Sequence, residues 1–261
     1  MSLPLNRVLL GDCCRLLAEL PPDCVDFVLT DPPYLVNYRD RSGRSLAGDR
    51  EADWLEPAFA EVFRVMRPDT LCVSFYGWSR TDLFFRAWRR VGLRVAGHIT
   101  FPKRYTSTTR LMRYQHESAY LLAKGEPPAP AEPIGDVIDW TYSGNKLHPT
   151  QKPLSVLTPL IQTFCRLGGL VLDPFTGSGS SLVAAQSVGR YFVGMEIDPA
   201  MHAVAERRLQ GYRDAMLWSL LGEEFDPRVQ GPRSSAVPAP RASLGRSAAR
   251  EPRGMSVATA R

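Results

Sequence analysis

The strongest restriction on the fold comes from short apolar runs that alternate with longer amphipathic segments. Strand-length runs separated by helix-length segments are typical of βαβ units, and therefore of a largely parallel sheet. The apolar runs predict strands at Arg7–Leu10, Val25–Thr30, Leu71–Phe75, Gly97–Thr100, Ser118–Leu122, Leu170–Leu172 and Tyr191–Ile197. The segments between them predict helices at Ala52–Met66, Arg80–Arg90, Pro153–Cys165, Ser180–Val188 and Pro199–Leu220.

The composition changes after residue 225, where Ala, Pro, Arg, Ser and Gly replace the periodic apolar pattern. A segment of this kind cannot bury enough apolar surface to offset the entropy lost on ordering. Residues 226–261 are therefore predicted to form a disordered basic tail, and residues 1–225 a single domain.

The net charge of +5 is unevenly distributed. The tail holds seven Arg against Asp226 and Glu251, which accounts for the whole surplus and leaves the domain neutral. Within the domain, residues 80–124 contain ten Lys and Arg but only Asp82 and Glu117. A basic surface for nucleic acid is therefore expected from this stretch.

Several classes of protein are disfavoured by what the chain lacks. Its five cysteines form no CxxC pair, so no metal site and no disulfide framework are expected. The apolar runs are too short to cross a bilayer, and Met1–Arg7 has no signal-peptide layout. A cytoplasmic protein is the resulting expectation.

One predicted strand runs directly into a Gly-rich turn, Asp173-Pro-Phe-Thr-Gly-Ser-Gly179. Its glycines let the backbone approach a ligand closely, and Glu196 follows 23 residues after Asp173, as a ribose-binding carboxylate would. A nicotinamide dinucleotide fits poorly, because Leu182 replaces the third small residue and Pro174 lacks an N–H donor for pyrophosphate. S-adenosylmethionine, which carries adenosine without phosphate, fits better, and a turn that binds no ligand is the alternative.

A second predicted strand ends in Asp31-Pro-Pro-Tyr34. An exocyclic amine of a nucleobase is a poor nucleophile, because its lone pair is delocalised into the ring. Asp31 and the main-chain carbonyl of Pro32 are acceptors that could draw such an amine toward tetrahedral geometry, and the two prolines make the turn rigid. Tyr34 offers a flat face for an extruded base. The alternative is a simple strand-capping turn.

These two blocks, in this order, resemble the β group of DNA amino-methyltransferases. Two further blocks, His148-Pro-Thr-Gln-Lys-Pro153 and Gly11-Asp12-Cys13, extend the resemblance over residues 7–210. The resemblance implies an α/β fold with a doubly wound, mostly parallel sheet, Rossmann-like, and S-adenosylmethionine as cofactor. It also implies that the domain of residues 1–225 is catalytic, with loop-rich recognition insertions near 35–50 and 101–146.

The resemblance also assigns roles to residues. The Gly-rich turn would hold the methionine portion of the cofactor, Glu196 its ribose, and Thr150 with Lys152 its carboxylate. Ile197 and Asp198 would lie beside the adenine, with Asp12 and Cys13 opposite them. The predicted catalytic residues are Asp31, Pro32, Pro33 and Tyr34. The predicted cofactor-binding residues are Asp12, Cys13, Thr150, Lys152, Asp173, Phe175, Thr176, Gly177, Ser178, Gly179, Glu196, Ile197 and Asp198.

Double-stranded DNA is the expected partner. The basic residues in the two recognition insertions are the candidates for contact with it: Arg39, Arg41, Arg44, Lys103, Arg104, Arg110 and Arg113. The resemblance is compatible with a homodimer, although no residue pattern demonstrates one.

The choice of methyl acceptor is left open between several classes. No Pro-Cys pair is present for covalent attack on cytosine C5. Asp at the first position of the Asp-Pro-Pro-Tyr turn favours adenine N6 within the family, with cytosine N4 as the alternative. RNA or protein-glutamine methyltransferases generally begin this turn with Asn and place it after the cofactor site. A non-catalytic nucleic-acid-binding protein is the remaining rival.

Overall fold

A computed structural model describes residues 2–37, 47–108, 111–140 and 152–220. Over these ranges the elements, in chain order, are β1 (Arg7–Leu10), α1 (Cys13–Ala18), β2 (Val25–Thr30), α2 (Leu55–Val65), β3 (Met66–Phe75), a 3₁₀ turn (Trp78–Arg80), α3 (Thr81–Arg90), β4 (Arg94–Thr108), β5 (Arg113–Lys124), α4 (Leu154–Phe164), β6 (Leu170–Asp173), α5 (Ser180–Ser187), β7 (Tyr191–Glu196) and α6 (Pro199–Leu220).

The strands form one sheet in the order β1–β7–β6–β2–β3–β5–β4. All neighbours from β1 to β3 pair in parallel, whereas β5 runs antiparallel to both β3 and β4. The chain leaves β2 toward β3 but leaves β6 toward β7, in the opposite direction. The strand order therefore reverses between β2 and β6, and a crevice is expected at their carboxyl ends.

Helices cover both faces of the sheet, as the predicted doubly wound α/β architecture requires. Helices α1 to α3 pack on one face and α4 to α6 on the other, in two apolar clusters. Strand β2 serves both, because Val28 belongs to the first cluster while Phe27 and Leu29 belong to the second. This burial on both sides explains why the strand reads as a continuous apolar run. The predicted fold class is confirmed.

The β4–β5 hairpin is longer than the sequence predicts. Strand β4 was expected at Gly97–Thr100 but continues to Thr108, and β5 begins at Arg113 rather than Ser118. Pro102 and the polar residues after it read as a loop, and the strand pairing does shift between Pro102 and Ser107. Pairing with β5, rather than local propensity, keeps this part of the insertion extended.

Helix α1 is absent from the sequence-based prediction. It has six residues, too few to show a helical period. Asp12 caps it, since the Asp12 carboxylate accepts a hydrogen bond from the Arg15 amide at 3.1 Å. Among the described residues, no helix combines the length and apolar character needed to cross a membrane.

Candidate active site

A cavity of about 300 Å³ opens at the carboxyl ends of β2 and β6. The Asp-Pro-Pro-Tyr turn (residues 31–34) and the Gly-rich turn (residues 173–179) both contribute to its wall. They meet because β2 and β6 are adjacent strands, paired through Val28 and Leu172. The sequence predicts that these two turns, distant in the chain, share one pocket, and the structure brings them together.

Most of the predicted cofactor-binding residues lie on this cavity. Gly179 does not, and Thr150 lies outside the described residues. Those on the cavity wall are Asp12, Cys13, Lys152, Asp173, Phe175, Thr176, Gly177, Ser178, Glu196, Ile197 and Asp198.

Hydrogen bonds fix the carboxylate of the Asp-Pro-Pro-Tyr turn in place. The Tyr34 hydroxyl donates to Asp31 Oδ1 at 2.8 Å, and Lys152 Nζ donates to Asp31 Oδ2 at 2.5 Å. The Asp31 side chain remains 25% exposed, so its carboxylate stays accessible from the cavity. Burial, followed by the nearby Asp31 charge, raises the pKa of Tyr34 well above its ordinary value. Tyr34 is therefore a protonated donor at neutral pH.

Lys152 contacts the Asp-Pro-Pro-Tyr turn in the folded protein. Its side chain is only 8% exposed, and its ammonium also lies 3.2 Å from the Tyr34 hydroxyl and 4.6 Å from the centre of the Phe75 ring. The family resemblance predicts that Lys152 anchors the cofactor's carboxylate. The structure instead places its charge against Asp31, so its contact in this arrangement is with the turn predicted to be catalytic.

The two glycines of the Gly-rich turn, Gly177 and Gly179, have different structural roles. Gly177 has φ of 53°, and no atom lies within 4 Å of the position a Cβ would take, which leaves room for a ligand. Gly179 has φ of 82° and precedes α5, and a Cβ there would lie 3.1 Å from that of Ala205. Gly179 therefore permits close packing of α6 rather than contact with the cavity.

Glu196 is held rigidly at the end of β7. Its two carboxylate oxygens accept the amides of Gly177 at 2.7 Å and Asp198 at 2.8 Å. Burial raises the pKa of Glu196, while these two amides act in the opposite direction. The Asp198 carboxylate accepts the amide of Ala200 at 2.7 Å and so caps α6. A fixed carboxylate with lone pairs to spare is suited to hydrogen-bond the hydroxyls of a ribose.

Asp173 is a deeply buried carboxylate of the site, at 3% exposure. Its oxygens accept hydrogen bonds from the Phe175 amide at 3.1 Å and from the Ser181 hydroxyl. Burial outweighs these bonds and raises the pKa of Asp173 from 3.8 to about 7. A cationic ligand beside it would favour the ionised form.

Some residues of the site carry no distinctive sequence signal. Trp54 lines the cavity, with its ring 5.0 Å from that of Phe175 and its Nε1 donating to the Gly48 carbonyl at 2.7 Å. Arg208, on α6, braces the Gly-rich turn by donating to the Ser178 carbonyl at 2.5 Å. Sequence reasoning missed both because each lies in an ordinary helical stretch.

The predicted DNA contacts divide into three groups. Arg104 and Arg113 lie exposed on the β4–β5 hairpin. Lys103 has a side chain only 6% exposed and an ion pair with Glu117 at 2.8 Å, so its charge is matched within the hairpin. The remaining candidates lie outside the described residues: Arg39, Arg41, Arg44 and Arg110.

Comparison with known proteins agrees with this geometry. The family model of N6/N4-type DNA methylases matches residues 25–207. The Escherichia coli K12 protein YubD, described as a methylase, is 50% identical over 212 residues, which cover 81% of this chain and 93% of YubD. The type II methyltransferase M2.DpnII of Streptococcus pneumoniae is 26% identical, over 78% of this chain and 90% of its own.

Two solved structures share the fold. The cytosine-N4-specific PvuII DNA methyltransferase aligns with a TM-score of 0.65 at 18% identity, covering 84% of this chain and 94% of its own. M1.HpyAVI, in its complex with SAM, aligns with a TM-score of 0.63 at 21% identity, covering 78% of this chain and 98% of its own. With a family model that spans most of the domain and a relative that shares half of its residues, the chain belongs to the DNA methylase family of the N6/N4 type.

Proposed function

We propose that this protein transfers a methyl group from S-adenosylmethionine to the N6 amine of an adenine that is flipped out of duplex DNA. The observation that carries the proposal is the shared cavity. It places an acceptor-bearing turn with an aromatic ring beside a Gly-rich turn with a ribose-type carboxylate.

The cofactor is S-adenosylmethionine, which supplies a methyl group on a positively charged sulfur. The wall of the cavity suits its parts. Gly177 leaves open space, Glu196 presents fixed acceptors for the ribose hydroxyls, and Asp173 offers a carboxylate to a cationic group. The Gly-rich turn, residues 173–179, contains no lysine to bind a phosphate group as a P-loop does. This agrees with a cofactor that carries no phosphate.

The Asp-Pro-Pro-Tyr turn prepares the amine. Asp31 accepts a hydrogen bond from the target N–H and draws its lone pair out of the ring, with the Pro32 carbonyl as the second acceptor. With the cofactor bound, the nitrogen would form its bond to the methyl carbon and the electrons of the broken sulfur–carbon bond would stay on sulfur. The methylated nitrogen would then release one proton, for which Asp31 or solvent is an acceptor. Asp31 polarises the amine before this step rather than removing its proton, because a neutral exocyclic amine is a very weak acid. Tyr34 gives the extruded base a surface on which to stack.

Adenine N6 is the expected target because the turn begins with Asp. Expression of the protein in a host that lacks its own DNA methylases, followed by sequencing that distinguishes modified bases, should give N6-methyladenine at one short motif. The Asp31→Ala variant is the matched control, and its DNA should carry no such mark. Methylation of cytosine N4 at the motif would contradict the choice of base but not the reaction class.

Transfer from labelled cofactor to DNA, tRNA and ribosomal protein, assayed side by side, separates this function from its rivals. Incorporation into DNA alone is expected. Incorporation into RNA or protein, with none into DNA, would contradict the proposal.

Cofactor binding is expected to depend on pH through Asp173. The pKa of Asp173 is raised from 3.8 to about 7 in the folded protein. The contribution of this shift to folding stability is fully present below about pH 4 and is lost as the pH rises through about 7. A bound cation favours ionised Asp173 instead. We therefore expect the Kd for S-adenosylmethionine to fall about tenfold more in wild type than in Asp173→Asn between about pH 6 and about pH 8.

Isothermal titration calorimetry at several pH values measures this difference. The cofactor's own amino group titrates equally in both titrations, so it cancels in the comparison. Parallel pH profiles for the wild type and Asp173→Asn would show that Asp173 does not face the cofactor's charge.

A further inference from the structure

Two aromatic rings lie stacked on the surface at the carboxyl edge of the sheet. Trp78 follows β3 and is 65% exposed, and its ring centre is 5.4 Å from that of Tyr114, at the start of β5, with 28° between the planes. Leu111 and Met112, just before β5, are 86% and 61% exposed. Large apolar side chains gathered in solvent are costly and mark a binding surface.

This aromatic pair has a fixed position beside the Asp-Pro-Pro-Tyr turn. Gly77 packs so closely on that turn that a Cβ there would lie 2.4 Å from the Tyr34 carbonyl oxygen. On the other side of Trp78, the Arg80 guanidinium donates to the Leu35 carbonyl at 3.2 Å. Gly77, which precedes the 3₁₀ turn, and Arg80, its last residue, are therefore both tied to the segment that carries the catalytic residues, so Trp78 is held near the mouth of the site.

The charge around the aromatic pair suits a polyanion. Arg113 directly precedes Tyr114, Arg80 lies two residues after Trp78, and Arg104 is exposed on the β4–β5 hairpin. Asp82, at the start of α3, is an exposed acidic residue close by. Aromatic faces set among guanidinium groups are the usual surface on which proteins stack unpaired nucleobases.

We propose that Trp78 and Tyr114 form a stacking platform for a base of the bound DNA that loses its neighbour when the target base is extruded. Extrusion breaks the stacking on both sides of the target, and an aromatic side chain at the gap replaces part of what is lost. The inference rests on the proposed function, because only an enzyme that extrudes a base from a duplex creates such a gap.

The test compares DNA binding by Trp78→Ala, Tyr114→Ala and the wild type. The DNA is an unmethylated duplex that contains the sequence motif the protein methylates, with 2-aminopurine in place of the target adenine. Both variants should bind this DNA roughly 10- to 100-fold more weakly and give less 2-aminopurine fluorescence, the signal of extrusion. Trp78→Phe should recover most of the affinity. The salt dependence of Kd should stay unchanged, because stacking neutralises no phosphate.

Tyr191→Ala is the matched control. Tyr191 is 46% exposed but begins β7, at the edge of the sheet opposite the cavity, so its loss should leave DNA affinity unchanged. The Kd for S-adenosylmethionine, measured on every variant, shows that the site remains folded.

Methyl transfer by the wild type to the same duplex with adenine, rather than 2-aminopurine, at the target position tests the proposed function separately. If the wild type methylates the duplex but both alanine variants bind it normally, the function stands and the platform is wrong. If light scattering shows that Trp78→Ala dissociates an oligomer without weakening DNA binding, the pair contacts a second copy of the chain and the platform is again wrong. A wild type that neither binds nor methylates DNA overturns both.

Discussion

Replacing Asp31 with asparagine is expected to lower the rate of methyl transfer to DNA on the order of 10³-fold, while the Kd for S-adenosylmethionine stays within about threefold. Tyr34 and Lys152 both donate to the Asp31 carboxylate, at 2.8 and 2.5 Å. An amide has one acceptor oxygen, which these donors would occupy. Its NH₂ group would then face the amine of the base, donor against donor. Single-turnover kinetics with labelled cofactor measures the change.

Asp26→Asn provides the matched control on the same strand. Asp26 lies near the start of β2, is 10% exposed, and pairs with Arg166 at 3.1 Å and Arg67 at 3.2 Å. Its replacement removes a carboxylate from an ion-pair network far from the cavity. It should lower the melting temperature without changing the transfer rate per folded molecule. Methyl transfer that survives in Asp31→Asn at the wild-type rate would remove the catalytic assignment of the Asp-Pro-Pro-Tyr turn.

The sequence predicted best those parts of the molecule where burial leaves a continuous pattern. Strands β1 and β2 and helix α6 occupy the predicted residues, and β6 and β7 differ by one residue at one end. Both turns of the site follow central parallel strands. A strand buried on both faces is apolar throughout, so the polar residue that ends it stands out. The pairing of residues 31–34 with 173–179 in one pocket follows from the same rule.

Features that depend on tertiary contacts were not predictable from the pattern. The outer part of the β4–β5 hairpin is strand because each side pairs with the other, although Pro102 and the basic residues beside it read as loop. The sequence pattern does not predict that Trp78 is exposed, because an apolar residue before a helix is equally compatible with burial in the core. The partner of Lys152 was also beyond reach, because 120 residues separate it from Asp31 and only the fold joins them.

The Lys152–Asp31 contact leads to the second large effect. Lys152→Met should lower the rate constant of methyl transfer about 10²-fold, because it leaves the Asp31 charge without its buried partner and frees the carboxylate to turn away from the amine. The side chain of Lys152 is 8% exposed, so water cannot readily replace its ammonium. Methionine fills a similar volume beside Phe75, which limits the loss of packing.

The two possible roles of Lys152, binding the cofactor's carboxylate or positioning Asp31, predict different kinetics. If Lys152 binds the carboxylate of S-adenosylmethionine, as the family resemblance suggests, Lys152→Met raises the Kd of the cofactor, and saturating cofactor restores the rate. If Lys152 positions Asp31, the Kd barely changes and the rate at saturation stays low. The geometry favours the second outcome, and the KM-against-kcat split for the cofactor decides between them.

Lys124→Met separates this effect from a general loss of stability. Lys124 is also a largely buried cation, 14% exposed, and pairs with Asp23 at 2.8 Å. It ends β5, at the edge of the sheet away from the cavity, where it also donates to the carbonyls of Phe63 and Met66. Both variants should unfold at lower temperature, since each removes a largely buried ammonium together with its hydrogen bonds. Only Lys152→Met should slow methyl transfer, and an equal loss of rate in Lys124→Met would mean that stability, rather than the orientation of Asp31, accounts for the effect.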